Sequence, residues 1–182
     1  QSVTQTLGDG TEIVMRKPVY HIENPNYGPL PDNLLTSPRV ASPMIGLGLV
    51  EAIPESALLA NEDPNDADSD GISGRANRVW DRTSKQTVVG RFGWKAGQPS
   101  ILQQSMDAFA GDMGLTSTVA PSTDCTSEQE CERFPDGGQP EVTDKVASFI
   151  EFYASSLAVP TRRDMDDPIV KQGAKLFNDL TC

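Results

Sequence analysis

Three aspartates at alternating positions, Asp66, Asp68 and Asp70, are followed at once by Gly71 in this 182-residue chain. The D-x-D-x-D-G spacing has a physical reason. A hard cation takes roughly six to eight oxygens on a small sphere, and a tightly curled loop points every second side chain inward. Gly71 permits the sharp turn that a Cβ would obstruct. Ile72 is placed to offer its backbone carbonyl while its side chain turns into the core. With Asp66 as the first loop position, the twelfth is Asn77 and not the bidentate Glu of an EF-hand. Asn77, Asp81, Asp63 or water is then left to complete the shell. Five acids lie between Glu62 and Asp70 with no base among them, and without a cation they repel one another. The alternative is an acidic loop of Asx-turns holding no ion. The expectation is a bound cation, calcium, in a structural role.

The sign of the charge reverses directly after this loop. Arg75, Arg78, Arg82, Lys85, Arg91 and Lys95 face a single acid, Asp81, and the stretch carries both tryptophans of the chain, Trp80 and Trp94. Two readings follow. One is a solvated hairpin face with two core tryptophans; the other is a basic wall turned toward an anionic cofactor or substrate.

With 15 glycines, 14 prolines and a hydrophobic fraction of 37%, the chain favours short elements joined by many turns over a large regular sheet. No apolar run approaches the ~20 residues that span a bilayer. A net charge of −11 argues against nucleic acid as the main partner. Cys125 and Cys131 sit in a polar loop, too far apart for C-x-x-C and with no histidine beside them, so zinc and redox motifs are poorly supported. A local disulfide is the better reading and implies an oxidising compartment.

Along the chain, residues 1–10 read as polar and loose, with a turn at Gly8-Asp9-Gly10. Thr11–Tyr20 reads as an edge strand ending near Pro18. His21, the single histidine, reads as a surface or core residue more readily than as a ligand. Pro43–Ile53 suggests a buried turn leading into a helix, and Pro54 suits the start of the next. Val79-Trp80 and Thr87–Phe92 predict two strands around the turn Arg82–Gln86. Ser100, with Gln103 three residues on, predicts a capped helix bearing Ile101, Leu102, Met106 and Phe109 on its apolar face. A second helix is expected over Thr143–Leu157, with Val146, Phe149, Ile150, Tyr153 and Leu157 on one side. Asp167-Pro168 opens a last one, with Ile169, Val170, Gly173, Leu176, Phe177 and Leu180 inward. The fold class expected is mainly α with a small β hairpin and much irregular loop.

The last helix carries a Gly and a Leu-Phe pair and runs straight into Cys182, the way many c-type cytochrome domains enter their haem-attachment motif. Longer strings carry a broader resemblance: YGPL (Tyr27–Leu30), SPRVASPMIGLGLVEAIPE (Ser37–Glu55), DADSDGISGRANRVWD (Asp66–Asp81), GRFGWKAGQPS (Gly90–Ser100), AFAGDMGLTS (Ala108–Ser117), the paired-cysteine loop and LAVPTRRD (Leu157–Asp164). On these the chain resembles the di-haem oxidoreductase family of putative peroxidases, also labelled thiol oxidoreductases and related to di-haem cytochrome c peroxidases.

The resemblance implies a periplasmic protein with two haem c groups on C-x-x-C-H motifs, and it makes this chain the segment between them. Residues 1–159 would be the body of a first cytochrome c-like domain, and residues 160–182 the start of a second, reaching its haem motif at Cys182. The chain has no complete motif of its own. The resemblance implies peroxide as oxidant and an electron-donor protein or small redox carrier as partner. It makes Met113, and less strongly Tyr27, candidate axial or distal haem residues. Arg39, Arg75, Arg78, Arg91 and Lys95 become candidates to clamp haem propionates. Trp94 becomes a candidate electron relay between haems, and calcium a brace between haem domains. The thiol-oxidoreductase label finds no C-x-x-C pair to rest on. The competing reading is a non-catalytic, calcium-stabilised extracellular binding module, which leaves the basic Trp-bearing strip unexplained.

Overall fold

A computed structural model describes residues 1–26 and 28–180. They fall into two units: Gln1–Ala41 with Thr126–Arg133, and Ser42–Cys125 with Phe134–Cys182.

In the first unit, β1 (Ser2–Thr6) pairs antiparallel with β2 (Glu12–Arg16), Val3 opposite Met15 and Gln5 opposite Ile13. The expected turn closes it. Gly10, at φ +86°, donates to the Leu7 carbonyl, and the Thr11 amide donates to Asp9 Oδ1 at 2.9 Å. Hydrogen bonds from Thr11, its amide first, hold the Asp9 carboxyl below its ordinary range. Residues 1–10 are thus half of a hairpin and not a loose end. Its side chains are almost all exposed, so backbone pairing and turn chemistry define it rather than a hydrophobic face.

The second unit holds the core. Gly46, in the left-handed region, starts α1 (Leu47–Glu51), and Pro54 starts α2 (Glu55–Leu59). The hairpin β3 (Arg78–Asp81) and β4 (Gln86–Val89) follows, with Trp80 opposite Thr87. Ser100 caps α3 (Ile101–Met113) by accepting the Gln103 amide, and Gly114 ends it in the left-handed conformation. Thr143 caps α4 (Asp144–Ser156) in the same way through Val146. Asp167 caps α5 (Pro168–Asp179) through Ile169. Each cap satisfies an amide that the first helical turn leaves without a partner.

One cluster packs Met106 and Ala110 of α3 against Ala120, Val142 and Ala147; the other joins Phe92, Ile101 and Ala154 with Met44 and Leu47. Glu141 ties the first cluster's loops together. Its carboxylate accepts the amides of Thr116 and Gly137, each at 3.0 Å, and the Thr116 amide is the main cause of its lowered pKa.

The expectation of a mainly α fold is overturned. Helix makes up less than a third of the chain, and four short strands form two small antiparallel sheets. Long stretches punctuated by Pro and Gly cannot propagate a helix, and α1 and α2 stop after five residues each.

Helix α4 corrects a second expectation. Its buried residues are Ala147 and Ala154, whereas Val146, Phe149 and Tyr153 are exposed. Packing distance explains the choice. A Cβ on Gly48 of α1 would lie 2.1 Å from the Ser155 carbonyl, and the Gly46 amide donates to the Leu157 carbonyl at 2.8 Å. Backbones this close admit only small side chains between them. The apolar residues of α5 are likewise exposed, and that helix buries none. Among the described residues no helix is long and apolar enough to cross a membrane.

Candidate functional site: an acidic loop and a basic turn

The acidic stretch folds into a closed loop. Asp63 and Gly74 bridge its neck, the Asp63 amide donating to the Gly74 carbonyl at 2.9 Å. Arg75 Nη2 donates to the Pro64 carbonyl at 2.9 Å, and Glu62 Oε1 accepts the Ala76 amide at 2.8 Å. Inside, the Asp63 carboxylate accepts the Ala67 amide at 2.8 and 2.9 Å. Asp66 accepts the Gly71 amide at 3.1 and 3.2 Å, and Asp70 Oδ1 accepts the Ile72 amide at 2.8 Å. Gly71 has φ +86°, the conformation for which a glycine was expected there.

Asp63, Asp66 and Asp68 each bring a carboxylate oxygen within 4.8 Å of the others. Asp70 is outside that group. Ile72 is 68% exposed instead of turned into the core. Asn77 serves another structure, its Nδ2 donating to the carbonyls of Lys95 and Ala96 at 3.0 and 3.1 Å. Asp81 caps the β3–β4 turn through Ser84 Oγ and the Thr83 amide, and the Ser84 bond is the main cause of its lowered pKa. The residue that converges with the acids is thus Asp63, at the loop's neck, and the signal for it was the acid run itself.

The basic stretch forms a tight turn on the hairpin. Asn77 holds it through its side chain and through its carbonyl, which accepts the Gly90 amide at 2.8 Å. Phe92 bridges Gln98 and is buried. Trp94, between them, is 72% exposed, and Trp80 on β3 is 54% exposed. Neither is a core tryptophan.

The cations differ in their commitments. Arg91 Nη1 donates to the carbonyls of Val50, Glu51 and Ile53 at the end of α1, where a cation answers the partial negative charge of the terminus. Arg75 is held by Pro64 as above. Arg78 and Lys95 are exposed and form no ion pair among the described residues. Arg39 belongs to the first unit, its Nε donating to Ser37 Oγ at 3.2 Å. His21 is exposed. Met113 is the last residue of α3 and its thioether is not core, being 54% exposed. Tyr27 and Cys182 lie outside the described residues. Cys125 and Cys131 stand at disulfide distance.

These residues do not fit a covalently held haem of their own. Haem c needs two cysteines in C-x-x-C followed by the histidine that ligates the iron. The cysteines are Cys125, Cys131 and Cys182, and the one histidine is His21. No curated protein and no solved structure matches the chain. The family described as "Di-haem oxidoreductase, putative peroxidase" matches residues 1–182, and the chain belongs to that family.

Proposed function

We propose that this chain works as part of a periplasmic di-haem c-type oxidoreductase that uses peroxide as its oxidant. Electrons come from a donor protein or small redox carrier, and the haems are held on C-x-x-C-H motifs, with Cys182 as the candidate first cysteine of one. The observation that carries the reading is the family match over residues 1–182. An oxidising compartment is supported by the Cys125–Cys131 pair, which we read as a disulfide.

On this reading the chain contributes a rigid scaffold and a charged, aromatic surface. Trp94 relays electrons from an exposed turn that Asn77 pins by two hydrogen bonds. Arg78 and Lys95 are better placed to meet propionates than Arg75 and Arg91, whose guanidinium groups already serve backbone carbonyls. Met113 offers an exposed thioether at a helix end. The loop from Asp63 to Gly74 takes a cation, calcium by its oxygen donors.

The test is expression of the longer protein in a host that attaches c-type haem. The expected result is sharp absorption bands on dithionite reduction and peroxide-dependent oxidation of a reduced donor such as ferrocytochrome c. Trp94→Phe should slow turnover with the reduced spectrum unchanged. A featureless spectrum, or haem bands without any peroxide-dependent oxidation, overturns the reading.

A further inference from the structure

The hairpin β3–β4, helix α3 and the loop from Thr118 to Asp124 enclose a cleft of about 620 Å³. None of its lining residues belongs to the acidic loop. Ala110 and Ala120, both buried, supply small apolar surface, and Gly111 beside them leaves room. The exposed indole of Trp80 forms one wall.

The charges in the cleft fall into two classes. Arg82 and Asp107 neutralise each other as an ion pair. Arg82 also donates to the Val119 carbonyl at 3.3 Å, and Asp107 accepts from Gln98 at 2.7 Å. Lys85 and Asp124 remain. Both are exposed, and neither forms an ion pair among the described residues. Lys85 acts on Asp81 only through space. The cleft therefore carries one cation and one carboxylate that stand outside any ion pair among the described residues, and an apolar wall.

A simple anion entering it meets Asp124, a simple cation meets Lys85, and an apolar molecule leaves both poles unanswered. A ligand with both charges on one small framework answers all three. We propose that this cleft binds a free α-amino acid, with its carboxylate on Lys85, its ammonium on Asp124 and its side chain against Trp80, Ala110 and Ala120. The volume lies within the roughly 300–1,000 Å³ typical of small-molecule sites.

The test is calorimetric titration of the protein with L-leucine and L-phenylalanine. N-acetyl-L-leucine and L-leucinamide, each lacking one charge, serve as controls, with glucose as an uncharged polyol. Saturable binding of at least one amino acid is expected, with all three controls much weaker. Lys85→Ala and Asp124→Ala should each weaken binding about tenfold, which is ~1.4 kcal/mol. Their circular dichroism should match the parent's, because both side chains are exposed. Three results would overturn the proposal: no saturable heat with either amino acid up to about 10 mM, a control binding as tightly as L-leucine, or binding untouched by both substitutions.

Discussion

Arg82, in the turn of the β3–β4 hairpin, is ion-paired with Asp107 on α3, and this pair closes a hydrogen-bonded ring that fastens hairpin to helix. Gln103 completes the ring. Its Oε1 accepts the Arg82 amide at 2.9 Å, and its Nε2 donates to the Trp80 carbonyl and to Gln98 Oε1, each at 3.1 Å. Gln98 returns to Asp107. Gln103 is only 4% exposed, so its side-chain amide lacks water as a substitute for these partners. Gln103→Leu should destabilise the chain by about 2–3 kcal/mol by leaving buried polar groups unpaired. Asp107→Ala should cost about 1–3 kcal/mol. Urea unfolding followed by tryptophan fluorescence checks both; a loss for Gln103→Leu below about 0.5 kcal/mol would be that of an ordinary surface position.

Gly90 lies against the backbone of its own turn. A Cβ there would stand 1.8 Å from the Ala96 carbonyl oxygen, and backbone cannot step aside as a side chain can. Gly90→Ala should cost upward of about 3 kcal/mol and loosen the Trp94 turn. Gly93→Ala is the comparison, since its Cβ would meet nothing within 4 Å. It should lose only what a positive φ costs, about 1 kcal/mol. Similar melting temperatures for the two variants would contradict the close approach.

Helix α4 presents its small residues inward and its large ones outward. Ala154→Leu should overpack the contact near α1 and cost about 1–3 kcal/mol. Phe152→Ser, at a position 73% exposed, should change stability by no more than about 0.5 kcal/mol. Chemical denaturation of the two variants separates the faces, and the reverse order would restore the aromatic face to the core.

If the acidic loop holds calcium, the parent protein should melt higher in calcium than in EDTA. At free calcium a hundredfold above Kd the gain is about 2.7 kcal/mol. Asp66→Asn with Asp68→Asn should abolish most of that difference while keeping side-chain acceptors for the turn. Identical parent melting with and without chelator would leave the loop as a set of Asx-turns.

Glu151 on α4 has its pKa raised, first by burial and then by the nearby Glu51 carboxylate. The sign follows from linkage. A raised folded-state pKa means the fold favours the protonated acid, so this group favours folding most below its ordinary value of 4.5. That contribution is lost as pH rises through the higher folded value. Glu151→Gln should therefore raise the melting temperature near pH 7 and make little difference near pH 4. A variant less stable than the parent at neutral pH would show that the carboxylate has a stabilising partner.

Much of the local structure was legible in the chain because short-range chemistry sets it. Ser100, Thr143 and Asp167 cap the helices they precede. Gly71 sits at positive φ in the acidic loop, and the β3–β4 hairpin turns where its polar residues fall. The Asp66–Gly71 spacing likewise marked the candidate cation loop, and of the residues left open to complete it the fold brings in Asp63, bridged to Gly74 at the loop's neck. Each of these features depends on a few neighbouring residues and their own backbone.

Tertiary structure decided what gets buried. Periodicity placed Phe149 and Tyr153 on one face of α4, but periodicity defines a stripe and not what lies against it. The approach of α1 through Gly48 selected Ala154 for the interior, and packing against Met106 and Ala110 of α3 selected Ala147. The same limit applied to Trp80 and Trp94, exposed here although one of the two readings made them core residues. It also applied to β1, whose polar residues pair only because a turn brings β2 alongside. The sequence by itself determined caps, turns and charge; the distance between backbones determined which side chains could fit between them.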